Sequence, residues 1–155
     1  MRANKLRRAV PADANAVRDL SRAAYAKWVP LIGREPLPMT ADYDRAITDH
    51  IVDLLEEGGQ LLALIEMIRE EDHLLVENIA VRPDQQGKGL GDRLLLHAEE
   101  IGRSFGLDEI QLYTNAAFTS NVAFYVKRGY EEYRRGAIVP GTTTVFMRKR
   151  ISRQD

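Results

Sequence analysis

A chain of 155 residues, of which 45% are apolar, is long enough for one domain with a sizeable core. Its formal net charge of −1 and pI near 6.3 do not favour a nucleic-acid partner, which usually requires a basic face. The absence of cysteine excludes a disulfide scaffold, a thiol nucleophile and a zinc–thiolate site.

Membrane and metal binding are not expected either. No apolar run reaches the length of a membrane span, and the first ten residues carry charges without an apolar leader segment. The histidines at positions 50, 73 and 97 are scattered without metal-ligand spacing, so no metal is expected. These features favour a soluble cytoplasmic protein.

The first part of the chain is predicted to contain a strand and two helices. They are a strand at Lys5–Val10, a helix that begins at Pro11 and ends before Pro30, and a helix from Tyr43 to about Asp49. The stretch between the helices, residues 31–42, is predicted to be irregular because it contains a glycine and two prolines. It is also apolar, so it forms either a lid on the core or a wall of an acceptor pocket.

Three strands are predicted next, as an antiparallel meander over Ile51–Glu56, Gln60–Ile68 and His73–Val81. Glycines at 58 and 59 separate the first two strands and indicate a hairpin. A long helix is predicted from about Gly89 to Phe105, because apolar residues recur there on one helical face.

The last part of the chain is predicted to contain three strands and one helix. They are a strand at Asp108–Asn115, a helix at Asn121–Lys127, and strands at Tyr130–Arg135 and Thr142–Lys149. The right-handed crossover rule predicts that Asp108–Asn115 runs parallel to His73–Val81. The expected fold is α/β (α+β): a mixed, mostly antiparallel sheet flanked by helices in one domain over 1–155, in the order β-α-α-β-β-β-α-β-α-β-β.

A glycine-rich segment, QQGKGLG at 85–91, joins the third meander strand to the long helix. The first turn of a helix has unpaired N–H groups and a positive dipole, and glycines let a phosphate approach the backbone. A nucleoside-triphosphate loop would need Ser or Thr after Lys88, but Gly89 stands there. The dinucleotide fingerprint GxGxxG is not matched, because the glycines read GxGxG and no acidic residue closes the following strand.

Three segments resemble motifs of the GCN5-related N-acetyltransferase (GNAT) superfamily, which binds acetyl-coenzyme A. Gln86–Gly91 fits the pyrophosphate loop Q/R-x-x-G-x-G/A, and Ile79–Val81 before Arg-Pro is similar to the family's hydrophobic-Ala-Val-x-Pro. NVAFYVKRGY at 121–130 is similar to the family's N-x-x-A-x-x-x-Y-x-x-x-G-[FY], with Tyr125 two positions after Ala123. The predicted element order also resembles the family fold over essentially the whole chain.

The resemblance implies which residues bind the cofactor. Backbone amides of the loop would hold the pyrophosphate, and backbone groups of Ile79 and Val81 would pair with the pantetheine arm. A backbone N–H near Ile79 or Ala80 would polarise the thioester oxygen. The implied cofactor-binding residues are Ile79, Ala80, Val81, Gln86, Gly87, Lys88, Gly89, Leu90, Gly91, Asn115, Asn121 and Phe124. Asn121 would bind pantetheine, and Asn115 would bind either pantetheine or the substrate.

The resemblance also implies two catalytic residues. Tyr125 matches the family's tyrosine that protonates the departing thiolate, and the pKa of a phenol lies near that of a thiol. Glu77 is the candidate base, because strand alternation places it with Ile79 and Val81 among apolar neighbours. Alternatively, Tyr125 is a core aromatic, and Glu77 is solvated or only binds substrate while a water chain acts as the base.

The implied activity is N-acetyl transfer from acetyl-CoA to a primary amine of a small molecule or peptide, by direct transfer without a covalent enzyme intermediate. One alternative is a non-catalytic, regulatory acyl-CoA-binding module. Another is transfer of a longer acyl group or transfer to an oxygen acceptor. A homodimer is compatible with the family. Five residues suggest an aromatic, partly apolar acceptor pocket but suit the core equally: Tyr25, Trp28, Met39, Tyr43 and Tyr113.

Overall fold

The computed structural model describes residues 5–152, which form a seven-stranded mixed sheet with helices on both faces. The strands are β1 (Lys5–Arg8), β2 (Ile51–Glu57), β3 (Gln60–Arg69), β4 (Leu74–Val81), β5 (Glu109–Asn115), β6 (Glu131–Gly136) and β7 (Thr144–Arg150). The helices are α1 (Ala14–Tyr25), α2 (Val29–Ile32), α3 (Leu37–Thr40), α4 (Tyr43–Asp49), α5 (Leu90–Ser104) and α6 (Thr119–Lys127). The strand order is β1-β2-β3-β4-β5-β7-β6, and β4 with β5 is the parallel pair among the described strands.

The predicted fold is confirmed, but the region after α1 differs from the prediction. The backbone stays helical past Tyr25, through a 3₁₀ turn at Ala26–Trp28 and into α2, where Pro30 occupies the first turn. The prediction that the helix ends before Pro30 and that residues 31–42 are irregular is therefore wrong in part. Proline is accepted in a first turn because an N–H there has no intrahelical partner. The same reason explains Pro38 at the start of α3.

The sheet separates two hydrophobic clusters. On one face, α1 and α4 bury Val17, Leu20 and Tyr43 against strand residues such as Leu54 and Leu64. On the other face, α5 buries its predicted apolar face against the strands; this face consists of Leu90, Leu94 and Ala98, with Ile101 and Phe105 packed beside them. No helix within residues 5–152 is both long enough and apolar enough to cross a bilayer.

Strands β4 and β5 separate along their length. They are parallel, as predicted, and they pair where residues 74–76 lie beside residues 110–112. Beyond these residues, no pairing joins the described parts of the two strands. The second half of β4 therefore has a free edge on the side of β5.

A β-bulge at Glu77 changes which way the second half of β4 faces. Val76 lies opposite Met67 and Asn78 lies opposite Glu66, so Glu77 is the extra residue. Beyond the bulge, Ile79 and Val81 pack against the α5 cluster, whereas Ala80 packs with the α1 cluster. The strict alternation that would group Glu77 with Ile79 and Val81 therefore does not hold.

Candidate active site

A first cavity, of about 460 Å³, lies where the glycine loop meets the free edge of β4; we call it the loop cavity. Gly87 and Gly89 have φ of 79° and 83°, in the left-handed region that favours glycine. Gly89 is the N-cap of α5 and no side chain caps this helix end. The N–H groups of the first turn of α5 are therefore available to an anionic oxygen.

The free edge of β4 also opens into the loop cavity. The Arg82 N–H donates to the Leu62 carbonyl at 2.8 Å, so the alternation of an antiparallel pair directs the backbone groups of Ile79 and Val81 away from β3. Both carbonyl oxygens accept a hydrogen bond from a side chain. The Tyr25 hydroxyl donates to the Ile79 carbonyl at 3.1 Å. The Gln86 amide donates to that of Val81 at 3.2 Å. An extended ligand can pair with this edge as an additional strand does.

Helix α6 forms the opposite wall and is anchored to the first turn of α5. The Arg128 guanidinium lies 3.6 Å from the centre of the Phe124 ring and is ion-paired with Asp92. A Cβ added at Gly91 would lie 2.9 Å from the Phe124 ring in its present position. The glycine at 91 therefore leaves room for this ring beside the first turn of α5.

Tyr125 lines the loop cavity, partly exposed, with its ring 5.4 Å from that of Phe124 and 5.9 Å from that of Tyr130. Burial raises the pKa of the Tyr125 phenol to about 12. The phenol is therefore protonated at neutral pH and can donate a hydrogen bond. Because an ordinary thiol has a pKa of about 8.5, this raised pKa favours donation of a hydrogen bond to a thiolate over full proton transfer.

Most of the cofactor-binding residues implied by the resemblance line the loop cavity: Ile79, Val81, Gln86, Gly87, Gly89, Leu90, Gly91, Asn121 and Phe124. Three do not. Ala80 is 1% exposed and faces α1. Lys88 is exposed outside the cavity. Asn115 lines a different cavity, and its side-chain oxygen accepts the N–H of Ala117 at 2.9 Å.

Several residues line the loop cavity that the sequence did not predict to lie there. Lys27 donates to the Gln86 side chain at 3.1 Å, and Trp28 stacks on Phe118 with ring centres 4.4 Å apart. Arg128 and Asp92 also line this cavity. Spacing within the sequence carries no signal for these residues, because the turn at Ala26–Trp28, α5 and α6 meet only in the folded chain.

A second cavity, of about 530 Å³, lies on the other side of Tyr25, which lines both; we call it the acceptor cavity. The apolar stretch around α2 and α3 forms one wall, so of the two alternatives it is the wall of a pocket. Tyr43 and Tyr113 line this cavity as expected from the sequence. Trp28 lines the loop cavity instead, and Met39 is buried in the core.

Glu77 lies in the acceptor cavity and is held by one strong hydrogen bond. The Tyr113 hydroxyl donates to its Oε1 at 2.6 Å from the neighbouring strand β5. Burial, together with the Glu77 charge, raises the pKa of Tyr113 above its usual value, so this phenol stays a donor. The carboxylate is thus oriented where β4 and β5 separate.

A second carboxylate, Glu66 on β3, lies in the wall of the same cavity and is 4% exposed. Its Oε2 is 2.6 Å from Nδ1 of His50. Burial raises the pKa of Glu66 above its usual value even though the His50 contact lowers it. In the described part of the chain, no group of three histidine, aspartate or glutamate side chains is arranged to hold a metal ion.

Comparison with known families identifies the family to which the chain belongs. The acetyltransferase (GNAT) family model matches residues 15–130. The chain belongs to this family.

Among curated proteins, the chain is 38% identical over 77 residues to the uncharacterized protein YxbD of Bacillus subtilis (strain 168). The match spans 50% of this chain and 47% of that protein, so this chain spans about half of that relative's length.

Two solved structures share the fold. The ribosomal-protein-S18-alanine N-acetyltransferase of Escherichia coli has a TM-score of 0.79 and 22% identity, with 99% of this chain and 97% of that chain covered. The PaiA N-acetyltransferase of Thermoplasma acidophilum, in complex with coenzyme A, has a TM-score of 0.81 and 19% identity, with 96% and 99% covered.

Proposed function

We propose that residues 1–155 act as one N-acetyltransferase domain that moves the acetyl group of acetyl-CoA to a primary amine of a small molecule or peptide. One observation carries this proposal. A helix end without a side-chain cap and a free strand edge open into one cavity, and a carboxylate lines the next cavity, across Tyr25. Membership of the GNAT family supports the acetyl-transfer part of the proposal.

The residues of the loop cavity fit acetyl-CoA. The N–H groups at the start of α5 suit the pyrophosphate, with Lys27 supplying positive charge nearby. The backbone groups of Ile79 and Val81 suit the amides of the pantetheine arm, which would replace the Tyr25 and Gln86 side chains there. The cosubstrate then supplies the activated acetyl group at the end of the cavity nearest Glu77.

Glu77 is the proposed base on the acceptor side. The amine nitrogen attacks the thioester carbonyl, the new C–N bond forms as the C–S bond breaks, and the nitrogen loses one proton. Glu77, oriented by Tyr113, accepts this proton directly or through one water molecule. The products are the acetylated amine and free CoA thiol.

Tyr125 is proposed to act on the departing thiolate. Its protonated phenol lines the loop cavity and can donate a hydrogen bond to the sulfur as negative charge develops there. Because its pKa is about 12, stabilisation of the thiolate by a hydrogen bond is favoured over complete proton transfer. The sulfur can then take its proton from solvent.

Isothermal titration with acetyl-CoA tests the cofactor site. Gly89→Glu places bulk and negative charge at the pyrophosphate position and is expected to abolish binding. Gly59→Glu is the matched control, because Gly59 has φ of 79° in the remote β2–β3 turn, and nothing lies near its Cβ position. If Gly59→Glu still binds acetyl-CoA, the loss of binding in Gly89→Glu comes from the bulk and charge placed at the loop and not from a strained left-handed backbone.

Release of free thiol in the presence of an amine panel tests the transfer step. We expect turnover by the wild type and at least tenfold slower turnover by Tyr125→Phe. Binding of acetyl-CoA without turnover of any amine would instead identify a non-catalytic acyl-CoA-binding module. A folded wild type that does not bind acetyl-CoA would overturn the proposal.

A further inference from the structure

We propose that the acceptor is a diamine: one amine is acetylated beside Glu77, and a second, protonated amine is held by Glu66 and Asn78 in the wall of the acceptor cavity. This inference deepens the proposed function and rests on it. It names the chemical class of the acceptor from the charges and hydrogen-bond groups that line the cavity.

The cavity lining is acidic. Its carboxylates outnumber its arginines by four to two: Asp42, Asp49, Glu66 and Glu77 against Arg34 and Arg45. Asp42 is engaged as the N-cap of α4, and Asp49 pairs with Arg45 at 3.4 Å. Glu66 and Glu77 are each held through one oxygen, by His50 and by Tyr113, so the other oxygen of each carboxylate can still accept from a ligand.

These two carboxylates are close neighbours on the sheet. Glu66 lies directly opposite Asn78 in the β3–β4 pair, and Glu77 is the next residue along β4. Burial raises the pKa of Glu66, and the charge of Glu77 adds to this rise. The partner of Glu66 is His50, whose Nδ1 lies 2.6 Å from Oε2. An ammonium group of a ligand would be attracted by both neighbouring carboxylates.

Asn78 adds a third hydrogen-bond acceptor between the two carboxylates. Its side chain is 4% exposed and lines the cavity, and its Nδ2 donates to Ser21 and Tyr43, each at 3.2 Å. The Tyr43 hydroxyl donates its own hydrogen to the Pro38 carbonyl, so it can only accept from Asn78. This fixes the orientation of the amide and leaves Oδ1 as a buried acceptor without a partner among the described residues.

A lining of adjacent acceptors matches an ammonium group, which has three donors and no acceptor. The bulge at Glu77 places the proposed base and the Glu66–Asn78 pair on the same cavity wall but on two strands. The two ends of one short diamine can therefore reach both carboxylates, within a cavity of about 530 Å³. The spacer methylenes would lie against the apolar wall around α2 and α3.

One residue favours a different acceptor. Arg34 lines the cavity from the segment between α2 and α3, half-buried, and an arginine there suits an amine that also carries a carboxylate. The two acceptor classes differ in the charge at the far end of the molecule. Acceptors matched in length but different in end group therefore distinguish them.

The test compares three acceptors of one chain length: 1,5-diaminopentane, pentylamine and 5-aminopentanoate. The wild type with acetyl-CoA is expected to show at least tenfold higher kcat/KM for the diamine than for either of the others. Glu66→Gln is expected to reduce the ratio of diamine to pentylamine by about tenfold, and Glu66→Asp by less. Asp44→Asn is the control, because Asp44 is exposed on the same helix α4 but does not line the cavity, and it should keep the wild-type ratio.

Equal kcat/KM for the diamine and pentylamine would overturn the inference, and a preference for 5-aminopentanoate would assign the far end to Arg34 instead. In both cases an amine is acetylated, so the proposed acetyl transfer is not contradicted. Turnover of no amine by a protein that binds acetyl-CoA would contradict the proposed function itself. Thermal unfolding of each variant checks its fold, and the preference of the wild type can decide the question without any variant.

Discussion

The two cavities meet at Tyr25 and are built from different parts of the chain. The loop cavity presents mainly backbone: the helix end at Gly89 and the carbonyl edge of Ile79 and Val81. The acceptor cavity presents mainly side chains, among them Glu66 and Glu77, which hydrogen bonds from other elements hold in place. The first construction suits a cosubstrate shared by a whole family, whereas the second can change with the acceptor.

This difference predicts that substitutions separate the two sites. A change in the acceptor cavity should alter turnover and leave acetyl-CoA affinity unchanged. A change at the glycine loop should alter acetyl-CoA affinity first. Tyr25 is the exception, because it lines both cavities.

The largest effect is expected for Glu77→Gln. The amide can still accept the Tyr113 hydrogen bond, so the shape of the cavity is kept while the proposed base is lost. We expect kcat/KM to fall by about 10²–10⁴, the usual range for a general base. Steady-state kinetics and titration with acetyl-CoA measure the two sites separately.

Glu100→Gln, an exposed position on α5, is the control for this substitution and should behave as the wild type. A large loss of acetyl-CoA affinity in Glu77→Gln would contradict the separation of the two cavities. Unchanged turnover would assign the proton to a water chain and leave Glu77 outside the reaction.

Sequence alone predicted the features that depend on local pattern. The glycine spacing predicted the start of α5, and the apolar period predicted the face of α5 that is buried. The crossover rule predicted the parallel pairing of β4 with β5 because it depends only on element order. These features form the backbone part of the loop cavity. This half of the candidate site could therefore be inferred from the sequence.

The other half could not be inferred, because it depends on contacts between distant segments. The bulge at Glu77 arises from the register of β3 against β4, and the residue pattern within β4 does not predict it. The pairing of Glu66 with His50 joins β3 to the end of α4. The lining by α2 and α3 was missed in part because prolines favoured an irregular stretch over the short helices that form.

A second prediction compares buried carboxylates inside and outside the site. Asp53 on β2 is 3% exposed and accepts from Arg8 at 2.6 Å and from His97 at 2.7 Å. Asp53→Asn removes the negative charge that faces Arg8 and His97. It should lower the free energy of unfolding by about 2–3 kcal/mol at pH 7. Glu66→Gln should cost less than about 1 kcal/mol or stabilise the fold, because residues kept for function often reduce stability. Urea unfolding of both variants measures this.

The pH dependence of the two carboxylates should have opposite signs. Burial raises the pKa of Asp53, but the hydrogen bonds from His97 and Arg8 outweigh it, so the net pKa is below its usual value. Its contribution is present above the unfolded pKa of about 3.9 and is lost as the pH falls through the folded pKa. The pKa of Glu66 is raised, so its contribution grows as the pH falls through its folded pKa. Equal pH slopes in the two variants would contradict this assignment.

A third, smaller effect is expected for Tyr25→Phe, which removes the hydrogen bond to the Ile79 carbonyl. Stability should fall by about 1 kcal/mol, the usual net value of one hydrogen bond. Acetyl-CoA should bind about three- to tenfold more tightly, because the phenol no longer competes for that carbonyl. Tyr133→Phe loses a hydrogen bond to Gln111, and since neither residue lines either cavity, this change should leave the affinity unchanged. Weaker binding in Tyr25→Phe would show that the phenol supports the cosubstrate.

The smallest effect is expected for Gly91→Ala. The added methyl lies 2.9 Å from the Phe124 ring, which can rotate away, and alanine favours the helix by up to about 1 kcal/mol. Stability should therefore change little, while displacement of Phe124 into the loop cavity should weaken acetyl-CoA binding about threefold. Gly102→Ala, on the same helix but 3.2 Å from Ile110 and Ile151, should lower stability without changing affinity. If Gly102→Ala weakened acetyl-CoA binding and Gly91→Ala did not, the backbone of α5, and not the space above Gly91, would set the shape of the loop cavity.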